Sequence, residues 1–215
     1  MGGKERGRKG KYRYPMFGLL ILLFSLSMAF SASGGQFESA IAAYERGDYA
    51  TAFRLMKPLA EKGDAKAQHN LGVMYDSGRG VTQDSTMALK WYRRAAEQGI
   101  PDAQHNLGLM YYYGQGVPQN YIEAARWYRR AAEQGMPDSQ VNLGMMYTYG
   151  QGVSQDYVLA HMWLNLAASQ YPASARKNLN DALHYQDIVD SKMTPEQVAE
   201  AKRLAREWKP KKEGK

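Results

Sequence analysis

The apolar residues of this chain recur at helical spacing in short segments that end at glycine or proline. In the segment 101–113, Ala103, Leu107 and Met110 fall three or four positions apart. This spacing places them on one face, which is typical of an amphipathic helix that packs against a neighbour. The hydrophobic pattern therefore predicts a helix over this segment.

A second apolar stripe follows after a loop that is rich in glycine. The loop 114–118 reads Gly-Gln-Gly-Val-Pro, in which glycine tolerates positive φ angles and proline cannot continue a helix. In the segment 120–134, Ala124, Trp127 and Tyr128 then share one helical face. The two segments together predict a helical hairpin.

This hairpin pattern repeats along the chain at a constant interval. The segment QHNLG occurs at 68–72 and 104–108, and WYRRAAEQG occurs at 91–99 and 127–135, so both recurrences are offset by 36 positions. A fixed interval of this size is the sequence signature of a solenoid built from stacked helical hairpins. Three further columns keep the same phase: Leu71, Leu107, Leu143 and Leu179; Asn70, Asn106, Asn142 and Asn178; and Trp91, Trp127 and Trp163.

These residues resemble the Sel1-like repeat, a subclass of the tetratricopeptide repeat superfamily. Its pattern, A-x-x-x-L-G-x-x-Y-x-x-G-x-G-V followed by A-x-x-W-Y-x-x-A-A-x-x-G, is matched three times, over 64–99, 100–135 and 136–171. The third match departs from the pattern at Ser139 and at Tyr171, which replaces the closing glycine. The resemblance implies an all-α fold, an α/α superhelical solenoid of helix-turn-helix repeats, with a concave groove lined mainly by the first helices.

The chain on either side of these three repeats follows the pattern less closely. Residues 37–63 keep the phase but have a shorter loop, and they resemble an ordinary tetratricopeptide hairpin that serves as the N-terminal repeat. Residues 172–208 begin with a copy of the first helix, and the segment 194–197 then predicts a capping box at the start of a last, charged helix. We expect this partial repeat to cap the stack, and 209–215 to form a basic disordered tail.

The net charge of +7 comes from the two ends of the chain and not from the repeats. Basic residues cluster before residue 14 and after residue 208, whereas 14–208 holds nearly equal numbers of basic and acidic residues. A nucleic-acid-binding protein needs basic residues clustered on a folded face, so we expect no nucleic-acid partner. The chain has no cysteine, which excludes disulfides, thiolate metal sites, a cysteine nucleophile and a lipoprotein anchor.

The first 33 residues have the layout of a secretory signal peptide. A basic stretch ends at Arg13, the segment 16–30 is uncharged and mostly apolar, and small residues follow it. As a helix this apolar segment reaches about 22 Å, which is shorter than the ~30 Å hydrocarbon core of a bilayer. We therefore predict a signal peptide over 1–33, cleaved after Ser31 or Ser33, and a periplasmic or secreted bacterial protein. A retained N-terminal anchor is the alternative.

The asparagine column is the strongest candidate for a binding site. By the resemblance, Asn70, Asn106 and Asn142 lie on the first helices, where related domains place amide donors for the backbone of a bound peptide. Asparagine can donate and accept hydrogen bonds at once, which suits the alternating groups of a peptide. We expect His69 and His105 to lie beside this column and face the partner. The alternative is that the asparagines hydrogen-bond between neighbouring hairpins.

Three tyrosines at the ends of the first helices are additional to the tyrosines of the repeat pattern. Tyr112, Tyr113 and Tyr149 are candidates for partner contacts, because rigid amphipathic rings are common at interfaces. Alternatively, these rings pack against the next Gly-x-Gly loop. The three repeat tryptophans are predicted to lie in the core.

No motif in the sequence predicts catalysis, a cofactor or a bound metal. The Gly-x-Gly loops lack the third glycine and the preceding strand of a dinucleotide-binding motif, and no Lys-Ser/Thr pair follows them for a P-loop. The Gly-x-Ser-x-Gly and His-Glu-x-x-His motifs are absent from the sequence as well. His69 and His105 lack a convergent third ligand, so we predict no metal site and no small-molecule cofactor.

The sequence therefore favours a non-catalytic scaffold of the bacterial cell envelope, a monomer that binds a protein or peptide partner in its groove. An enzyme of the β-lactamase-related type is one alternative, but Sel1-like proteins of that type are rich in cysteine and this chain has none. A membrane-tethered assembly factor or signalling regulator is another, and it requires that the N-terminal segment is retained. A glycan or a folded domain is an alternative to a peptide as the ligand.

Mass spectrometry of the mature protein distinguishes a cleaved from a retained N-terminus. If the signal peptide is removed, we expect the mature chain to start at Ala32 or Gly34, because the small residues before these positions suit a signal peptidase. A mass that includes residues 16–30 would contradict this prediction and favour the anchor.

Overall fold

The computed structural model describes residues 35–172 and 174–211, and within these ranges it contains ten α-helices and no strand. The predicted all-α solenoid is confirmed, because α1 to α8 form four hairpins that stack in chain order. None of these helices is long and apolar enough to cross a bilayer. The predicted signal peptide and the last residues of the predicted basic tail lie outside the described ranges. The helices are α1 (35–45), α2 (Tyr49–Glu61), α3 (Ala65–Ser77), α4 (Ser85–Glu97), α5 (Pro101–Tyr113), α6 (Tyr121–Glu133), α7 (Pro137–Tyr149), α8 (Tyr157–Gln170), α9 (Arg176–Asp190) and α10 (Pro195–Glu207).

Local sequence determines where the helices of each hairpin begin and end. Asn120 precedes α6, and its side-chain oxygen accepts hydrogen bonds from the backbone N–H groups of Ile122 and Glu123. Helix α5 instead begins with Pro101. Proline has no backbone N–H, and at the first helical position an N–H group would have no intrahelical partner in any case. The same helix ends at Gly114, which adopts a φ of 71° and closes the helix in the left-handed conformation.

The two helices of each hairpin approach so closely that the first helix needs a glycine at the contact. A Cβ atom on Gly108 of α5 would lie 2.6 Å from the ring of Tyr128 on α6, well inside van der Waals contact. The Tyr128 side chain is buried in the core and has little room to move aside. The equivalent contacts in the neighbouring hairpins are Gly72 with Tyr92 and Gly144 with Leu164.

The Gly-x-Gly loop of each hairpin lies against the hairpin before it. Gly116, in the loop after α5, has a φ of 67°, a conformation that favours glycine. A Cβ atom there would lie 2.6 Å from the carbonyl oxygen of Ser85, at the start of α4. Because this neighbour is backbone, no side-chain movement can relieve the contact. The second glycine of the loop therefore sets how closely successive hairpins stack.

Glutamine pairs, each with one buried member, join successive hairpins, and they were not predicted from the sequence. Gln104 of α5 is fully buried, and its Nε2 donates to the carbonyl oxygen of Ala96 at the end of α4. Its Oε1 accepts a 2.8 Å hydrogen bond from Nε2 of Gln134, which also donates to the carbonyl oxygen of Gly99. The pair thus donates to a carbonyl group in the last turn of α4, which also accepts from the backbone N–H of Gly99, and to the carbonyl group of Gly99 in the turn beyond it. The equivalent pairs are Gln68 with Gln98 and Gln140 with Gln170.

Helix α10 packs on α8, the last second helix, and not on α9, and its role as a cap of the stack stays a prediction. The reason lies in two positions of the second helices. In α6 they are Arg126 and Arg130, whereas in α8 they are Met162 and Leu166, each 7% exposed. These apolar side chains share a buried cluster with Ala205 of α10. The loss of two charges therefore gives α8 an outer face on which α10 can dock.

The chain after α10 continues over the outer face of the second helices. The Trp208 ring packs edge-on against Trp163 of α8. The backbone N–H of Lys211 then donates to the carbonyl oxygen of Glu133, and its Nζ lies 3.1 Å from the carboxylate of the same residue. Because α10 lies here, α9 is a first helix without a second one, and Leu183 on α9 is 43% exposed.

Replacing Gly108 with alanine should destabilise the protein, although alanine favours helices. The added Cβ meets the buried Tyr128 ring. Overpacking of this kind costs about 1–3 kcal/mol, whereas alanine gains roughly 1 kcal/mol in helix propensity. We expect a lower midpoint of chemical unfolding by circular dichroism. Gly35→Ala is the control, because a Cβ there meets no atom within 4 Å. An unchanged midpoint for Gly108→Ala would mean that the helices can move apart at no cost.

Leu166→Arg restores the charge that α6 carries at this position and should release α10 from α8. A buried cation without a partner is unfavourable, so the docked state loses stability. Hydrogen exchange measured by mass spectrometry should become faster in Pro195–Glu207 and stay unchanged in 65–113. Leu183→Arg is the matched control, because Leu183 is exposed and lies away from α10. Equal protection of α10 in Leu166→Arg and the unaltered protein would contradict this packing assignment.

Candidate functional site

The candidate site lies on the face formed by the first helices α3, α5, α7 and α9, here called the first-helix face. Two cavities open on it. One, of about 50 Å³, is the apolar cavity, and the other, of about 270 Å³, is the polar cavity. The walls of the apolar cavity are Leu109, Tyr112, Tyr113, Tyr128, Asn142 and Met145. The walls of the polar cavity are His105, Asp138, Val141, Asn142, Tyr171, Lys177, Asn178 and Asp181.

Asn142 is the one residue that these two cavities share. It is half-buried in the middle of α7. Its side chain makes no hydrogen bond to another residue in the described part of the chain, although the amide has two donor hydrogens and an acceptor oxygen. The amide is therefore available to a ligand that lies across the first-helix face.

The other asparagines of the column have partners within the protein. Nδ2 of Asn70 donates to the carbonyl oxygen of Lys66 on its own helix. Nδ2 of Asn106 lies 3.3 Å from Nε2 of His69 on the preceding first helix. Asn106 thus makes a contact between hairpins, which was the alternative to partner binding predicted for this column. The binding role of the column stays a prediction, and Asn142 is the member whose side chain has no hydrogen bond to another described residue.

His69 and His105 lie beside the asparagine column, each against a tyrosine ring. The ring centroids of His105 and Tyr128 are 5.8 Å apart, and Nδ1 of His105 lies 2.8 Å from Oγ of Ser139 on α7. Burial lowers the pKa of both imidazoles, against smaller opposing effects of Asp102 at His69 and of Asp138 and Asp102 at His105. Both are therefore neutral at pH 7. No group of three His, Cys, Asp or Glu residues that could hold a metal occurs within 35–172 and 174–211.

The three candidate tyrosines lie in different environments. The hydroxyl of Tyr112 donates to Oε1 of Gln151 in the next Gly-x-Gly loop. This ring therefore lies against the loop, which was the alternative to a partner contact. Tyr113 is 64% exposed and lines the apolar cavity. Tyr149 is 53% exposed and lines neither cavity. The structure therefore brings Tyr113 together with Asn142 and leaves Tyr149 apart from them.

The carboxylate of Asp138 is held in place by two neutral donors. Its Oδ1 accepts a 2.6 Å hydrogen bond from the hydroxyl of Tyr171 and a 3.1 Å hydrogen bond from Nδ2 of Asn178. Burial, with a smaller contribution from the hydrogen bond to Asp138, raises the pKa of Tyr171, so this hydroxyl stays a donor. In the sequence, Tyr171 stands out only as a departure from the repeat, and that departure is the signal for this contact.

Charge is distributed unequally between the two helices of a hairpin. Helices α5 and α7 each contain one charged residue, Asp102 and Asp138 respectively. Helix α4 instead contains three basic residues and one acidic residue, and α6 contains three basic and two acidic residues. The guanidinium of Arg126 on α6 lies 4.4 Å from the ring centroid of Trp127. The first helices α5 and α7 are therefore acidic and the second helices α4 and α6 are basic, whereas α3 carries one charge of each sign and α8 contains no acidic or basic residue other than His161.

Comparison with known proteins supports this repeat structure. The Sel1 repeat family model matches residues 36–64, 65–100, 101–136 and 137–171, which together make up more than half of the chain. The first match falls on the N-terminal hairpin, whose sequence resembles an ordinary tetratricopeptide hairpin. The family pattern thus extends over all four hairpins.

Two solved structures have a similar fold. A protective antigen present in uropathogenic Escherichia coli strains, which displays an SLR fold, has a TM-score of 0.72 and 33% sequence identity, over 85% of this chain and 38% of that chain. A Sel1 repeat protein from Oxalobacter formigenes has a TM-score of 0.52 and 43% identity, over 59% of this chain and 95% of that chain. The stack of helical hairpins is therefore the fold of known SLR proteins.

One curated relative is the secretory immunoglobulin A-binding protein EsiB of Escherichia coli O6:H1 (strain CFT073). It is 50% identical over 40 residues, which cover 19% of this chain and 8% of that protein. The chain thus matches a small part of a much longer relative. The four consecutive family matches and the shared SLR fold lead to one conclusion: the chain belongs to the Sel1 repeat family.

Proposed function

We propose that this protein is an exported, non-catalytic scaffold of the bacterial cell envelope that binds an extended segment of a partner protein on its first-helix face. The observation that carries the proposal is the Asn142 amide, which lies between two cavities and has no partner among the described residues. Sel1 repeats mediate protein–protein binding, and a relative is named for binding secretory immunoglobulin A.

An extended peptide fits the chemistry of Asn142. Its backbone presents N–H and C=O groups in alternation, and one asparagine amide can accept from the first and donate to the second. Side chains of an extended chain project to opposite sides of its backbone. A backbone held at Asn142 can therefore deliver side chains to the apolar cavity and to the polar cavity. Most other polar groups of the repeats, such as the Gln104–Gln134 pair, are already used to join hairpins.

The envelope location and the monomeric state are parts of the same proposal. The pattern of residues 1–33 supports export to the periplasm or beyond it. Contact with the membrane then depends on whether this segment is retained. The function needs no cofactor, because the scaffold holds its partner by hydrogen bonds and side-chain packing.

Substituting Asn142 with alanine should abolish capture of partner proteins from a periplasmic extract. Loss of one well-placed amide contact costs about 1–3 kcal/mol, which is about 5-fold to 150-fold in affinity. Asn70→Ala is the matched control, because Asn70 occupies the same column, bonds within its own helix and lies outside both cavities. The readout is quantitative mass spectrometry of proteins retained by each variant.

The comparison includes a triple variant in which Asn70, Asn106 and Asn142 are all alanine. Far-UV circular dichroism and the unfolding midpoint establish that each variant is folded. Partners that bind the unaltered protein and Asn70→Ala, and are lost from Asn142→Ala, support the proposal. If every partner survives the triple substitution while the fold is intact, the first-helix face is not the binding surface.

A further inference from the structure

The polar cavity carries an excess of negative charge. Its walls hold two carboxylates, those of Asp138 and Asp181, and one ammonium group, that of Lys177. Burial lowers the pKa of the half-buried His105, against a smaller opposing effect of Asp138, so its imidazole adds little positive charge. The walls therefore carry one net negative charge, and Asp138 is the carboxylate that lies on α7 with Asn142. A ligand group that enters here gains most if it is cationic.

The Asp138 carboxylate is already positioned for such a group. Both of its protein donors, Tyr171 and Asn178, are neutral and contact the same oxygen, Oδ1. Among the described residues, no basic side chain forms an ion pair with Asp138, and no hydrogen bond reaches its Oδ2. Because the two donors fix the carboxylate, a bound cation does not have to order it.

The apolar cavity selects by size. Its volume of about 50 Å³ lies between Leu109, Met145 and the ring of Tyr113. The buried ring of Tyr128 limits its depth. This space suits a short aliphatic side chain, whereas an aromatic ring or a long polar chain leaves most of its surface outside.

We propose that the partner segment bound at Asn142 carries a lysine or arginine that pairs with Asp138, and within two positions of it an aliphatic residue that enters the apolar cavity. This inference rests on the proposed function, because it assumes that the first-helix face holds a peptide backbone. Charge complementarity supports the assignment. The first helices α5 and α7 are acidic, whereas α4 and α6 are basic, so a basic segment is attracted to the proposed face and repelled from the opposite one.

The test is selection of a random dodecapeptide library, displayed on phage, against the full-length protein. Selected peptides are then synthesised and titrated by fluorescence anisotropy against three variants. Asp138→Asn removes the charge but keeps an oxygen for Tyr171 and Asn178. Asp102→Asn is the matched control, because Asp102 holds the same place at the start of α5 and lines neither cavity. Met145→Ser changes the apolar cavity alone.

We expect the selected peptides to be enriched in lysine or arginine next to valine, leucine or isoleucine. Their affinity should fall about threefold to tenfold in Asp138→Asn, which corresponds to roughly 0.7–1.4 kcal/mol, and the loss should shrink as salt increases. Asp102→Asn should bind within twofold of the unaltered protein. Selection on Met145→Ser should keep the basic residue and lose the aliphatic one.

Other outcomes separate a failure of this inference from a failure of the proposed function. Peptides that require Asn142 but show no basic residue, or bind Asp138→Asn unchanged, overturn the inference and leave the proposed function in place. Enrichment of acidic residues would do the same, since it would assign the cavity to Lys177. If no peptides are selected, or those selected bind Asn142→Ala unchanged, both proposals fail.

Discussion

The structure depends on the close approach of the two helices in each hairpin. Gly108 on α5 leaves no space for a Cβ against the ring of Tyr128 on α6, and this contact fixes the rotation of both helices about their axes. With the rotation fixed, Gln104 faces the end of α4 and Leu107 faces the core. The opposite side of α5 is then left for solvent or a partner. The first-helix face is thus a consequence of how the hairpin closes.

Some polar side chains that recur in every repeat, and so look like candidates for partner binding, instead join neighbouring hairpins. One glutamine of each pair is buried and donates to a carbonyl group at a helix end, and leaving this buried amide unpaired would cost about 1–3 kcal/mol. The asparagine column is less uniform, since Asn106 contacts a neighbouring helix and Asn142 does not. Polar residues repeated at the same interval therefore need not share a function. Whether such a residue can bind a partner protein depends on whether the neighbouring hairpin already supplies its hydrogen-bond partner.

The sequence predicts the hairpins because their determinants are local or strictly periodic. Gly114 ends α5 through its own φ angle, and the predicted burial of the repeat tryptophans is confirmed, with Trp127 2% exposed. The glutamine pairs escape such reasoning because they join residues thirty positions apart on different helices. The docking of α10 on α8 could have been predicted from the sequence. Comparing Arg126 and Arg130 of α6 with Met162 and Leu166 of α8 shows the loss of charge that makes the outer face of α8 apolar.

The candidate site arises where the repeats differ and where the array ends. Tyr171 replaces the glycine that closes the other Sel1-like repeats, and its hydroxyl positions the carboxylate of Asp138. The far wall of the polar cavity comes from α9, which lacks a second helix because α10 is held on α8. Identical repeats would give identical stacking surfaces along the whole array and no unique position on it. The departures at the third repeat, together with α9, which lacks a second helix, therefore make the surroundings of Asn142 different from those of Asn70. Specificity for one partner segment requires a position that differs from the others in this way.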